Sequence, residues 1–140
     1  MSYMDKLDRK KTIKKAKKEL NNFSNLYVLN QNYFVHINGS TFTNSVINIV
    51  NHINYDLKTI NSITKKDRQI EEIERVIEAV SQLPDKQEVQ YIYYKYFVRY
   101  DSSEIAGMLE TSIRTMSRIA DNAHFNLALL LHIEVEKEEE

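Results

Sequence analysis

The chain has 140 residues, enough for one ordinary domain or a small domain with an extension, and its 42% hydrophobic and 28% charged residues fit a folded soluble chain rather than a disordered one. Cys is absent, which excludes disulfide and thiolate chemistry, and two glycines and one proline are too few for the Gly-rich phosphate loops of dinucleotide and P-loop enzymes or for a many-turned all-β fold. The net charge of −1 hides a basic head, with eight Lys/Arg against three carboxylates over 1–20, and an acidic tail, with five Glu against Lys137 over 133–140.

That asymmetry predicts a polyanion partner for the head and a solvated end for the tail. No apolar run approaches the ~20 residues of a membrane helix and no signal-peptide pattern opens the chain, so a cytoplasmic protein with no membrane partner is expected. The expected fold class is mainly α. Three regions are predicted: a helical N-terminal region over 1–83, a DNA-binding domain over 84–132, and the tail over 133–140.

In chain order, residues 4–23 place Met4, Leu7, Ala16, Leu20 and Phe23 at helical spacing among lysines, a basic amphipathic helix. Lys10, Lys11, Lys14, Lys15, Lys17 and Lys18 are read either as a solvated cationic face or as phosphate contacts, since clustered Lys suits non-specific attraction to DNA. Residues 24–43 lose the helical period and become Asn-rich. Asn38-Gly39, flanked by β-prone residues, predicts a small hairpin or an irregular loop at 33–43.

Helical spacing returns near Asn44 with Val46, Ile49, Val50, Ile53 and Leu57, then Ile60 and Ile63. Ile70, Ile73, Val76, Ile77, Val80 and Leu83 predict a long helix over 66–82, with Glu71, Glu72, Glu74 and Arg75 outside. Its stripe suits packing on the C-terminal domain or pairing with a copy of itself. Pro84 is expected in the first turn of the next helix, with Asp85 supplying charge that suits its N-terminus. From there Val89, Ile92, Tyr93, Tyr96 and Phe97 share one apolar face. Tyr91, Tyr94 and Tyr100 fall off it, and Tyr91 and Tyr94 are expected at an interface.

The stretch SSEIAGMLETSIRTMSRI at 102–119 predicts a helix-turn-helix. Ile105, Ala106 and Leu109 form the inner face of its first helix, with small Ala106 at the crossing. Ser112 is a good N-cap for the second helix, from which Met116, Ile119, Ala123 and Leu127 point inward. Left outside are Ile113, Arg114, Ser117, Arg118, Asp121 and Asn122. Arg can bond guanine bidentately, Asn can do the same to adenine, and a plain structural hairpin has no need of that set.

The run LPDKQEVQYIYYKYFVRYDSSEIAGMLETSIRTMSRIADNA resembles region 4 of bacterial sigma factors and its phage relatives. The resemblance lies in Leu83-Pro84-Asp85 opening a helix, Tyr96-Phe97 near its end, Glu104-Ile105-Ala106 with Leu109, and Ser112 before the recognition helix. The layout of basic helix, variable loop, long helix and terminal sigma-like domain is similar to the ArpU-like late transcription regulators of Gram-positive phages and phage satellites. Such motifs usually place Gly where this chain has Glu110, because the turn residue takes positive φ; a non-Gly residue there costs about 1 kcal/mol. Residues 84–132 carry no positive excess, so the N-terminal lysines would supply the attraction to DNA.

The resemblance implies a sequence-specific DNA-binding regulator that activates phage or phage-satellite late genes with host RNA polymerase, in a bacterial cytoplasm. Arg114 and Arg118 are expected to contact bases, with Ser117 and Asn122 secondary, Ser112 or Thr115 touching phosphate, Ile113 meeting a thymine methyl, and Lys14, Lys15, Lys17 and Lys18 attracting the backbone. A two-fold homodimer would read repeated half-sites. The alternative expectation is a helical adaptor or inhibitor of another regulator, acting through the aromatic and long-helix surfaces with an idle helix-turn-helix. His36, His52, His124 and His132 offer no metal-ligand spacing, and no cofactor or enzymatic chemistry is expected.

Overall fold

A computed structural model describes residues 2–30 and 65–138. The hairpin or loop predicted at 33–43 and the helical stretch predicted from Asn44 to Ile63 lie outside the described residues, as do His36 and His52. The described residues are mainly helical. A single 3-10 turn at Tyr3–Lys6 leads into α1 (Arg9–Leu29), followed by α2 (Lys65–Ser81), α3 (Lys86–Ile92) with a π-helical continuation at Tyr93–Val98, α4 (Ser102–Met108) and α5 (Ile113–Leu130). No described helix is long and apolar enough to cross a membrane.

Four of the helix starts, those of α1, α3, α4 and α5, have a local cause in a capping side chain. Asp8 caps α1 by accepting from the Lys11 amide at 3.0 Å, and Asp85 caps α3 by accepting from the Gln87 amide at 2.8 Å. Pro84 therefore stands just outside the helix rather than in its first turn. At the far end of α3 the helix widens into the π segment, which Arg99 stops by turning left-handed (φ 68°). Arg99 then donates to Ser24 Oγ at 2.8 Å and Asn25 Oδ1 at 2.6 Å, while the Ser24 hydroxyl donates to the Tyr96 carbonyl at 2.7 Å. These bonds latch α1 to the π segment.

One apolar core joins all five helices. Leu20 and Phe23 of α1 meet Ile70, Ile73, Val76, Ile77 and Val80 of α2, and the same cluster continues through Ile92, Phe97, Ile105, Met116, Ala123 and Leu127. It passes without a break across the boundary expected at 83/84, because α1 packs along α5 as well as on α2. The α2 stripe is at most 2% exposed from Ile70 through Val80 at its five Ile/Val positions. The surface on which a homodimer was expected is thus consumed inside the chain. Phe23, Tyr27, Tyr93 and Phe97 cluster around the latch, with ring centroids 5.0 to 5.9 Å apart.

One expectation is corrected by the packing of α3. Tyr91 is buried, not at an interface, because α3 is covered on two sides: Val89 and Ile92 face the core, while Glu88 and Tyr91 face α5. There the Tyr91 ring meets His124 edge-on at 5.8 Å, and Asn126 donates to Glu88 Oε1 at 2.8 Å. Burial raises the Glu88 pKa against the lowering effect of that Asn126 bond. Tyr94 is half-buried, with its ring stacked on Tyr100 at 5.8 Å.

The acidic tail is exposed at Glu136, Lys137 and Glu138, as a solvated end should be, but its backbone is tethered. It folds back on the start of the chain, with the Asp8 amide donating to the Val135 carbonyl at 2.8 Å and the Lys137 amide to the Lys6 carbonyl at 2.7 Å. Leu7 and Glu136 form an isolated antiparallel bridge, Thr12 and Val135 exchange side-chain and backbone bonds, and Lys11 pairs with Glu138 at 3.4 Å. Part of the head's charge is therefore answered by the tail, although the exposed Lys11–Glu138 pair is worth little by itself.

Candidate nucleic-acid interface

α4 opens with a capping box. Asp101 Oδ1 accepts from the Glu104 amide at 2.8 Å, and Glu104 Oε1 accepts from the Asp101 amide at 3.2 Å. Ile105 and Ala106 are its buried residues, so the small side chain does sit where α4 meets the core. A Cβ added at Gly107 would meet nothing within 4 Å, and that glycine is not required by any close approach among the described residues.

The turn closes as a Schellman motif. The Thr111 amide donates to the Ala106 carbonyl at 3.0 Å, the Glu110 amide to the Gly107 carbonyl at 3.1 Å, and Glu110 is left-handed at φ 55°. The turn thus has its ordinary type with a costly residue in it. Ser112 caps α5 by accepting from the Thr115 amide at 3.1 Å, and its hydroxyl donates to Thr115 Oγ1 at 3.1 Å. Both hydroxyl oxygens expected to touch phosphate are engaged with each other, which leaves the Thr115 proton as the group able to reach out.

α5 divides as its period requires. Met116, Ala120, Ala123, His124, Leu127 and Ala128 are buried, while Ile113, Arg114, Ser117, Arg118, Asp121 and Asn122 are exposed. Ile119 departs from expectation: it is half-buried at the margin of the core. Arg114 and Arg118, one turn apart, have no ion pair within 4.0 Å among the described residues. Asn122 is less free, because Arg9 donates to its Oδ1 at 2.6 Å and lays its guanidinium over the Phe125 ring at 4.6 Å. That anchor was not legible beforehand.

The head lysines fall into two sets. Lys10, Lys14 and Lys17, with Ile13, border an open groove of about 360 Å³ whose far side is Asp121 of α5. Lys11, Lys15 and Lys18 are turned roughly 100° further round α1, since each follows the first set by one residue. Of the four lysines expected to attract the backbone, Lys14 and Lys17 stand beside the exposed face of α5, and Lys15 and Lys18 lie on the outer stripe that begins at Lys11.

A second cleft of about 370 Å³ opens on the other side of Lys17, where Lys95 and Ser102 join Ser117 and Asp121. Its floor contains a buried pair: Tyr96 Oη and His124 Nε2 are 2.6 Å apart, and His124 Nδ1 is 2.7 Å from the Ala120 carbonyl. A carbonyl only accepts, so Nδ1 carries the proton and Nε2 accepts from the Tyr96 hydroxyl. Burial lowers the His124 pKa from 6.5 to about 4, with the Ala120 bond opposing and the Lys17 charge assisting. Burial also raises the Tyr96 and Tyr91 hydroxyls, keeping both protonated. Neither His124 nor exposed His132 belongs to any group of three His, Asp or Glu able to hold a metal among the described residues. The chemistry this surface offers is donation by arginine, lysine, hydroxyl and amide groups. No family model, curated protein or solved structure matches this chain.

Proposed function

We propose that the chain is a sequence-specific DNA-binding transcription regulator that inserts α5 into the major groove of double-stranded DNA. The observation that carries this reading is the uncommitted pair Arg114 and Arg118 on the outer face of a helix whose opposite face is core. Such a pair suits bidentate bonds to guanine, and Ile113, which is 52% exposed beside it, suits a thymine methyl. Lys10, Lys14 and Lys17 stand where they would add sequence-independent attraction. Activation of late genes with host RNA polymerase, inside a bacterial cytoplasm, is the regulatory role that goes with the resemblance. A homodimer on DNA would use a surface other than the α2 stripe. An adaptor would have to work through the half-buried Tyr94 or another surface, since Tyr91 and that stripe are buried.

The test is binding measured on random duplex over a range of salt, then on promoters of the encoding genome. Arg114→Ala or Arg118→Ala should cost about 1–3 kcal/mol on the operator and little on random DNA. Lys14→Ala with Lys17→Ala should weaken both DNAs alike and flatten the salt dependence, more than Lys15→Ala with Lys18→Ala does. A wild-type chain without salt-dependent DNA binding would end the proposal.

A further inference from the structure

The cleft between α1, the π segment and α5 holds two ammonium groups with no carboxylate paired to them. Lys17 and Lys95 both line it, and neither has an ion pair within 4.0 Å among the described residues. Asn21, Ser102 and Ser117 add an amide and two hydroxyls, and Asp121 is the one carboxylate at its rim. Donors outnumber acceptors, and both lysines contribute to holding the proton off the His124 imidazole in the floor. Two ammonium groups, each a compact point charge with three rotatable donors, suit the several oxygens of a phosphate, for which Lys is a common ligand.

The geometry points to a phosphate seat, in which Lys17 and Lys95 clasp one phosphate group while Asn21, Ser102 and Ser117 donate hydrogen bonds to its oxygens. The volume of about 370 Å³ exceeds what a bare phosphate fills and leaves room for an attached sugar. The source favoured is the DNA backbone, a form of the inference that rests on the DNA-binding reading. Lys17 is shared with the neighbouring groove, so cations continue from the seat to Lys14 and Lys10 at turn-like intervals, as a run of phosphates requires. A free phosphorylated small molecule has the same headgroup chemistry and would use the same seat.

Inorganic phosphate titrated into the full-length protein, followed by backbone amide shifts at Ser102 and Ser117, reads the seat directly. Random duplex titrated over a range of salt reads its use by DNA. The wild type should show both responses, and Lys95→Gln should weaken the phosphate response at least fivefold while lowering the salt slope by about one unit. Lys95 makes no ion pair to lose, and Ser102→Ala supplies a second variant with the same expected direction. Loss of the phosphate response with DNA binding unchanged keeps the seat and assigns it to a free phosphorylated molecule. A phosphate response in a wild type that binds no DNA also keeps the seat, and removes the DNA reading instead. Amides at 102 and 117 that ignore phosphate, or a folded Lys95→Gln that responds like wild type, would overturn the inference.

Discussion

His124 makes stability depend on pH in a way that can be worked out from its surroundings. Its side chain is fully buried, its Nε2 accepts from the Tyr96 hydroxyl, and protonation would replace that bond by two facing donors. The folded pKa of about 4 lies below the ordinary imidazole value of 6.5, so the contribution is fully present above pH 6.5 and is lost as pH falls toward 4. The limiting loss is about 3 kcal/mol, and at pH 5 about 2 kcal/mol has gone. The charged groups around the ring, Lys17, Lys95 and Asp121, are retained in a His124→Gln variant. Urea unfolding of wild type and variant at pH 7.5 and pH 5.0 isolates the imidazole, because carboxylates titrating in the same window cancel in the difference. The wild type should lose about 2 kcal/mol more than the variant between these pH values. Equal losses would refute the neutral, doubly bonded imidazole and the Tyr96–His124 pairing with it.

Further outcomes follow from the same core. Ile105→Ala empties a fully buried site and should cost about 2–5 kcal/mol in denaturant unfolding, whereas Ile119→Ala, at a half-buried site, should cost clearly less. Equal costs would mean that α5 is rotated from the register described. Glu110→Gly should stabilise by up to about 1 kcal/mol, since φ 55° suits glycine and the Schellman bonds are made by backbone. A lower melting temperature would show that the Glu110 side chain contributes something beyond its conformational cost.

What was legible in the sequence was whatever a single helix carries within itself. The inside and outside of α5, the Ser112 cap and the α2 stripe all follow from a 3.6-residue period and local capping chemistry. The strained turn at Glu110 was legible too, because left-handed backbone is demanded by the motif whichever residue fills it. Tyr91 was misjudged because a one-stripe reading assumes a helix covered on one side, and α3 is covered on two. The pairing of Leu7 with Glu136 and of Arg9 with Asn122 joins residues more than 110 positions apart, for which no local pattern exists. Lys95 was missed for a related reason: in the π segment the spacing departs from the helical period that would have placed it.

The packing of α1 along α5 bears on how the chain is made and how it can be cut. The two helices that form this contact lie at opposite ends of the sequence, so α1 leaves the ribosome long before its partner exists. Among the described elements, Leu20 and Phe23 then have α2 and the π segment to cover them until α5 has been synthesised. Contacts of such high sequence separation slow folding, because a long loop must be closed before they reward the chain. The same arrangement governs dissection. A fragment beginning at Pro84 would retain the whole helix-turn-helix motif yet expose the faces of Ile92, Phe97 and Leu127 that α1 and α2 now cover. The helix-turn-helix of this chain is therefore not a portable module, and grafts or truncations need α1 carried along with it.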